Sequence, residues 1–274
     1  MLKGTVDFHV HCGPDVVARS VTAHALALDA RASGMSAIYV KSHVTPTVGM
    51  AAAMSGAVPG LTVLGGIVLN THVGGLNPTA VDAALAMGGR LVWMPTQSAA
   101  NDLRYFGRDL SDGLTILDPD GKLRKAVLDI LELIAHHGAG LCTGHLSYEE
   151  SAILVSAALT CGVSTVVVTH PFWRSIGMSL DQQAHLAQEG AYIEYCLAQL
   201  APRPFGVDVR VLLDALERIG LERAILSTDA GGATFLPPAM AMQDFQDLLR
   251  CELSPEECER VFRLNPSRAL GLPI

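Results

Sequence analysis

The chain has 274 residues, half of them apolar and only 17% charged, with a formal net charge of −8. This suits a large buried core whose strands are covered on both faces, while the acidic balance argues against nucleic acid as a partner, since phosphate binding needs a basic surface. No uninterrupted apolar run is long enough to span a bilayer, so no membrane partner is expected either.

The elements follow one alternating pattern from end to end. Strands are predicted over Thr5–His11, Ala37–Ser42, Thr62–Leu69, Arg90–Met94, Gly140–Gly144, Thr165–Thr169, Ala191–Cys196 and Ala224–Thr228. Helical periodicity runs through Thr22–Ser33, Pro78–Met87, Lys122–His137, Tyr148–Cys161, Leu180–Gln188 and Val207–Ile219, with a shorter, glycine-interrupted stretch at Pro46–Val58. Glycines such as Gly34, Gly138, Gly162 and Gly190 stop helices before the next strand. Eight βα units with right-handed crossovers predict a single (β/α)₈ TIM barrel, an α/β fold in one domain spanning residues 1–274. An open doubly wound sheet is the alternative, although it usually has fewer strands and a glycine-rich first turn. The exception to compactness is Thr96–Gly121, a long loop expected over the strand C-terminal face, carrying Asn101, Arg104, Tyr105, Arg108 and Asp109 and read as a lid or binding loop. The tail from Ser254-Pro255-Glu256-Glu257 reads as a capped closing helix.

Six cysteines lie widely spaced with no C-x-x-C pair, which suggests free thiols in a reducing compartment. The first strand begins within a few residues of Met1, leaving no room for a signal peptide. The expectation is a soluble, cytoplasmic protein.

Chemistry concentrates at the strand ends. His9 and His11 are two apart on the first strand, so their side chains face the same way. His145, His170 and Asp229 follow the fifth, sixth and eighth strands. In a barrel these ends surround one mouth. Imidazoles with a carboxylate suit Zn²⁺, and also Mn²⁺, Fe²⁺ or Ni²⁺. On the second strand, parity places Lys41 and His43 on one face, and His43 is assigned with Lys41 to substrate binding. Lys41 is read as a cation for a substrate carboxylate, together with Arg19, Arg104 and Arg174, which also follow strand ends; a carboxylated bridge between two metals is the other reading. Glu194 alternates inward and is assigned to substrate contact, to pairing with Lys41, or to a bond behind a metal ligand. Asp7, by parity with His9, is expected to orient a ligand from below. Asp229 has a competing reading as a helix N-cap. Cys12 adjoins the site without an activating constellation.

This ordered set resembles the amidohydrolase superfamily, in which an H-x-H pair follows strand one, single histidines follow strands five and six, and an aspartate follows strand eight. The terminal Asn265-Pro266-Ser267-Arg268-Ala269-Leu270-Gly271 also looks like a closing segment common in these proteins. The resemblance implies that His9, His11 and Asp229 bind a metal, and that His145 and His170 bind the same ion or a second one. It also implies that Asp229 takes the proton from an attacking water and passes it to the leaving group. Binuclear members bridge their metals with a lysine or glutamate, most often from strand four. Here that strand is Arg90-Leu91-Val92-Trp93-Met94-Pro95 and supplies neither. One ion, with His170 as a polarising or proton-relay group, therefore stands beside two.

The expected function is a metal-dependent hydrolase attacking a carbonyl, in an amide or lactone, of a small carboxylate-bearing substrate. A metal-free lactonase, or a metal-dependent decarboxylase or other lyase, is the second reading. A catalytically silent metal-binding barrel is the third. The only partner expected is a small-molecule substrate, with homo-oligomerisation left open.

Overall fold

The computed structural model describes residues 2–274. Eight strand positions alternate with helices: β1 Val6–Val10, β2 Ala37–Val40, β3 in two pieces (Thr62–Leu64 and Ile67–Val68), β4 Leu91–Trp93, β5 Gly140–Cys142, β6 Thr165–Val168, β7 Tyr192–Cys196 and β8 Ala224–Ser227. All neighbouring pairs are parallel. The first piece of β3 pairs with β2 and the second with β4, so the strand turns from one sheet into the next at Gly65-Gly66. At the other seam, just past β8, the amide of Asp229 donates to the carbonyl of His9 at 2.8 Å. The amide of His11 donates to Ala230 at the same distance. These bonds bring the last strand back to the first, as a (β/α)₈ barrel requires.

The helices are α1 Ala23–Ala32, α2 Val48–Ala57, α3 Pro78–Ala86, α4 Ala100–Tyr105, α5 Lys125–His137, α6 Tyr148–Thr160, α7 Leu180–Glu189, α8 Val209–Ile219, α9 Pro238–Leu249, α10 Pro255–Glu259 and α11 Asn265–Ala269. Local sequence explains several starts. Ser147, Ser179 and Ser254 each cap a helix reciprocally with Glu150, Gln182 and Glu257, and Pro255 occupies the first turn of α10. Helix α5 begins later than its periodicity suggests, because Asp118 closes a turn with Lys122 and removes those residues from the helix. The segment 96–121 is not irregular throughout: it carries α4.

Two apolar layers hold the barrel. Outside, Val40, Val92, Leu141, Val168 and Leu226 pack with Leu26, Val81, Ile130, Leu154 and Phe245 of the surrounding helices. Inside, Val6, Phe8, Tyr39, Trp93, Cys142, Val167 and Ile225 fill the centre together with Ala269 and Leu270 from the closing segment. Asn265 anchors that segment by donating to the carbonyls of Leu221 and Ala224, both at 2.7 Å. The filled interior leaves the strand ends as the place for a ligand. Among the described residues, no helix is long and apolar enough to cross a membrane.

Candidate metal centre

The two histidines of the first strand reach the mouth by way of a bulge. Asp7 is in register with Ile38 and Val10 with Val40, so β1 spends an extra residue between them. A bulge of this kind re-aims side chains. Phe8 and His9, adjacent in sequence, both reach the Trp93 ring, at 6.5 and 4.7 Å between centroids. The shift also moves Asp7 away from the place that strict alternation predicted. Its carboxylate accepts from the Thr228 hydroxyl at 2.6 Å and from the Thr228 and His9 amides. Asp7 thus ties the backbone of β1 to the end of β8 rather than bonding a ligand's ring.

The other ligand candidates come from strained or crowded turns. Asp229 and His170 have φ of 51° and 22°, uncommon for residues with a Cβ. Asp229 caps no helix, since α9 starts only at Pro238. Gly231 is indispensable to its position: a Cβ there would meet the His11 carbonyl oxygen at 2.0 Å. Gly144 does the same for His145, lying against the carbonyls of Met94 and Pro95 with φ 63°.

Three atoms converge. His9 Nε2 and His11 Nε2 each lie 3.1 Å from Asp229 Oδ1. Atoms bound about 2.0–2.2 Å from a common ion stand roughly this far apart. The protonation pattern favours a cation here. His9 Nδ1 faces Glu194 Oε1 at 3.2 Å, so the ring proton belongs on Nδ1 and Nε2 presents a lone pair toward a carboxylate. Lys41 Nζ lies 3.1 Å from the same Nε2, placed to donate to that lone pair. Burial pushes His9 and His170 down to about 3 and His11 to about 4. Burial would raise the Asp229 carboxyl, but His9, His11 and His170 outweigh it and hold the group well below the carboxylate range. The result is neutral imidazoles beside an ionised carboxylate, the state that ligates metal.

His145 and His170 complete the ring of histidines. The His170 ring stacks 5.7 Å from His9 and lies 5.1 Å from His145. His145 Nδ1 donates to Asp102 Oδ1 at 2.9 Å, which turns its Nε2 lone pair outward. Asp102 also accepts from Ser175 Oγ at 2.6 Å and Trp173 Nε1 at 3.0 Å. Desolvation would raise its pKa, but these donors prevail and set it to about 2. Its neighbour Asn101 donates to the carbonyls of His145 and Ser175, so α4 clamps two loops of the mouth.

A cavity of about 210 Å³ opens above these groups, lined by Lys41, His43, His145, His170 and Asp229 together with Phe106, Arg108 and Trp173. A larger one of about 550 Å³ lies elsewhere, between Lys3, Thr5, α9 and α10, away from every histidine described above. Not every basic residue singled out in the sequence reaches the site cavity. Arg104 is exposed on α4 and Arg108 lines the cavity instead. Arg19 is engaged by Asp15 at 2.6 Å. Arg174 lies over the rings of Phe205 and Phe106, at 3.8 and 5.0 Å. Glu194 is completely buried behind His9, away from the cavity, where its Oε1 also accepts from Ser227 at 2.7 Å. Asp102, Trp173, Ser175 and Gln199, whose Nε2 donates to Asp229 Oδ2 at 3.0 Å, were not legible in the sequence. No periodicity or spacing marks them, because they lie on short helical turns and loops.

The sequence matches DUF6282, described as a family of unknown function, over residues 4–194, and the chain belongs to that family. The matched stretch holds His9, His11, Lys41, His145, His170 and Glu194 and ends before Asp229. No curated protein matches. Among solved structures, the chain is similar to an amidohydrolase from Pseudomonas aeruginosa at 13% identity and TM-score 0.67, over 98% of this chain and 95% of that one. It is also similar to an organophosphorus hydrolase from Deinococcus radiodurans, at 12% identity and TM-score 0.62, over 98% and 92%. A candidate 2-pyrone-4,6-dicarboxylic acid hydrolase from Pseudomonas putida matches at 15% identity and TM-score 0.62, over 99% and 98%. At such identities the likeness concerns the fold, which is the mixed α/β fold with parallel sheets of amidohydrolase-type barrels.

Proposed function

We propose that this protein is a divalent-metal-dependent hydrolase that directs water onto the carbonyl carbon of an amide or lactone in a small, carboxylate-bearing substrate. The observation that carries the reading is the convergence of His9 Nε2, His11 Nε2 and Asp229 Oδ1 below the cavity. These three would hold the ion, with His145 and His170 beside them to complete its sphere or to hold a second one. When bound, Zn²⁺ or a similar ion lowers the pKa of water to about 7 and polarises a carbonyl.

The chain's own residues do the rest. Asp229, kept ionised and steadied by Gln199, accepts the proton of the attacking water and returns it to the leaving group. Its Oδ1 faces the two histidines while Oδ2 meets Gln199, so the two oxygens have separate duties. Arg108 at the mouth binds the substrate carboxylate. The cavity volume of about 210 Å³ lies below the usual range for drug-sized ligands, which restricts the substrate to a small molecule. The His9 Nε2 lone pair that would hold the ion is the one Lys41 Nζ meets at 3.1 Å, so with that lone pair on an ion the amine would be left to a substrate carboxylate or a bridging role.

The test is elemental analysis of purified protein against the His9→Ala/His11→Ala variant. It is followed by hydrolysis of a panel of small lactones and N-acyl amino acids before and after chelation. One or two equivalents lost in the variant, with chelation-sensitive turnover, are expected. Protein that takes up no added metal would overturn the reading. The Lys41–His9 contact then favours the second one, a metal-free lactonase or lyase in which the ammonium supplies the positive charge.

A further inference from the structure

His43 differs from its neighbours in how its ring is held. Its Nδ1 meets no carboxylate; it lies 2.8 Å from the hydroxyl of Thr96. The direction of that bond follows from Asn70. Asn70 Oδ1 accepts the amides of Thr96 and Ser98, at 2.9 and 3.1 Å, which fixes the orientation of the side-chain amide. Its Nδ2 must therefore donate, and does so to the His43 carbonyl at 3.0 Å and to Thr96 Oγ1 at 2.8 Å. Thr96 is fully buried. Having accepted from Asn70, its hydroxyl proton has one acceptor in reach among the described residues, His43 Nδ1. A proton on Nδ1 would leave that hydroxyl proton without a partner.

We infer that His43 is a substrate-binding residue locked by Asn70 and Thr96 as the Nε2–H tautomer, donating this proton to the oxygen that gains negative charge as water adds to the substrate carbonyl. His9 and His145 give their Nδ1 protons to Glu194 and Asp102 and present Nε2 lone pairs; His43 is wired the opposite way. It stands beside the metal centre, its ring 5.0 Å from that of His11 and nearly parallel to it, and it lines the cavity. Its Nε2 has no hydrogen-bond partner among the described residues. A positioned neutral donor aimed where charge develops is what stabilises an oxyanion, and it needs no reorganisation when the charge appears. This role deepens the hydrolase reading and rests on it, but the tautomer itself does not.

Ring-¹⁵N-labelled protein tests the assignment by NMR, with the His43 signals identified by their loss in His43→Gln. The expected result is a protonated Nε2 and an unprotonated Nδ1, with the Nε2–H signal moving when inorganic phosphate is added as an oxyanion probe. In Thr96→Val the two tautomers should mix and phosphate binding should weaken about tenfold. Metal content should stay unchanged in His43→Ala. A protonated Nδ1 in the wild type, an Nε2–H blind to phosphate, or loss of a metal equivalent in His43→Ala would each overturn the inference. If the wild type binds no metal while the tautomer and the phosphate response persist, the hydrolase reading fails and His43 remains an oxyanion donor.

Discussion

His9 and His145 each rest on a carboxylate, but the two carboxylates come from different parts of the molecule. Glu194 projects from β7 into the barrel, has no exposure, and is held by Ser227 of the adjacent strand. Asp102 sits on the short helix α4 of a long surface segment, held by Trp173 and Ser175 from another loop. The contrast shows that a ring of histidines can be supported from below by the barrel and from the side by a docked loop. The first support is inseparable from folding, whereas the second is separable.

Asp229 meets both histidines of the first strand, and its loss should have the largest effect. Asp229→Asn should lower turnover by about 10²- to 10⁴-fold, the usual worth of a general base, while retaining much of the metal. Normal turnover would remove Asp229 from that role. Next come the two supporting carboxylates, whose removal should cost about 10- to 100-fold in metal affinity. Glu194→Ala should also lower Tm, because it leaves a fully buried histidine without its partner; Asp102→Ala should lower metal affinity with a smaller change in Tm. Equal losses of Tm in both variants would break the distinction between strand and loop support.

Arg108→Ala should raise KM for carboxylate-bearing substrates about tenfold with kcat little changed, and Arg104→Ala should change neither. The reverse ranking would show that the loop closes differently over a bound substrate. The smallest effect concerns pH and stability. His9, His11 and His170 are depressed from 6.5 to about 3, 4 and 3 by burial, so between those values and about pH 6.5 the unfolded chain binds more protons than the native one. Their contribution is full above pH 6.5 and is lost as pH falls toward 3. Asp7, raised from 3.8 to about 7 by burial, acts in the opposite sense: its contribution is full below pH 3.8 and is lost as pH rises through 7. Chelated protein should therefore lose Tm below pH 6.5; a flat profile from pH 6.5 to 4.5 would contradict neutral buried histidines.

Much of this was readable in the chain. The eight strand positions, the strand-end histidines and Asp229, and the inward direction of Glu194 followed from apolar runs and period-two alternation. Where strict alternation broke down, so did the reading: the bulge in β1 moved Asp7 from beneath the ring of His9 to the seam with β8. The long segment 96–121 was legible as a feature of the mouth, with Asn101 and Arg108 among its residues, but Asp102 was not. Asp102 lines the cavity, whereas Arg104 on the same helix turns to solvent. Rotation of a six-residue helix docked by its neighbours decides which side chains point inward, and so short a helix carries no usable periodicity.

The barrel and the residue types that meet at its mouth are legible in the chain, because hydrophobic periodicity and strand ends are local properties. What each imidazole offers was settled by folding. The proton on His9 belongs to Nδ1 because Glu194 arrives from β7, and that on His145 because Asp102 arrives from α4. The proton on His43 belongs to Nε2 because Thr96 and Asn70 come from two other loops. A histidine's tautomer is set by the partner of its other nitrogen, and those partners are brought together only by folding.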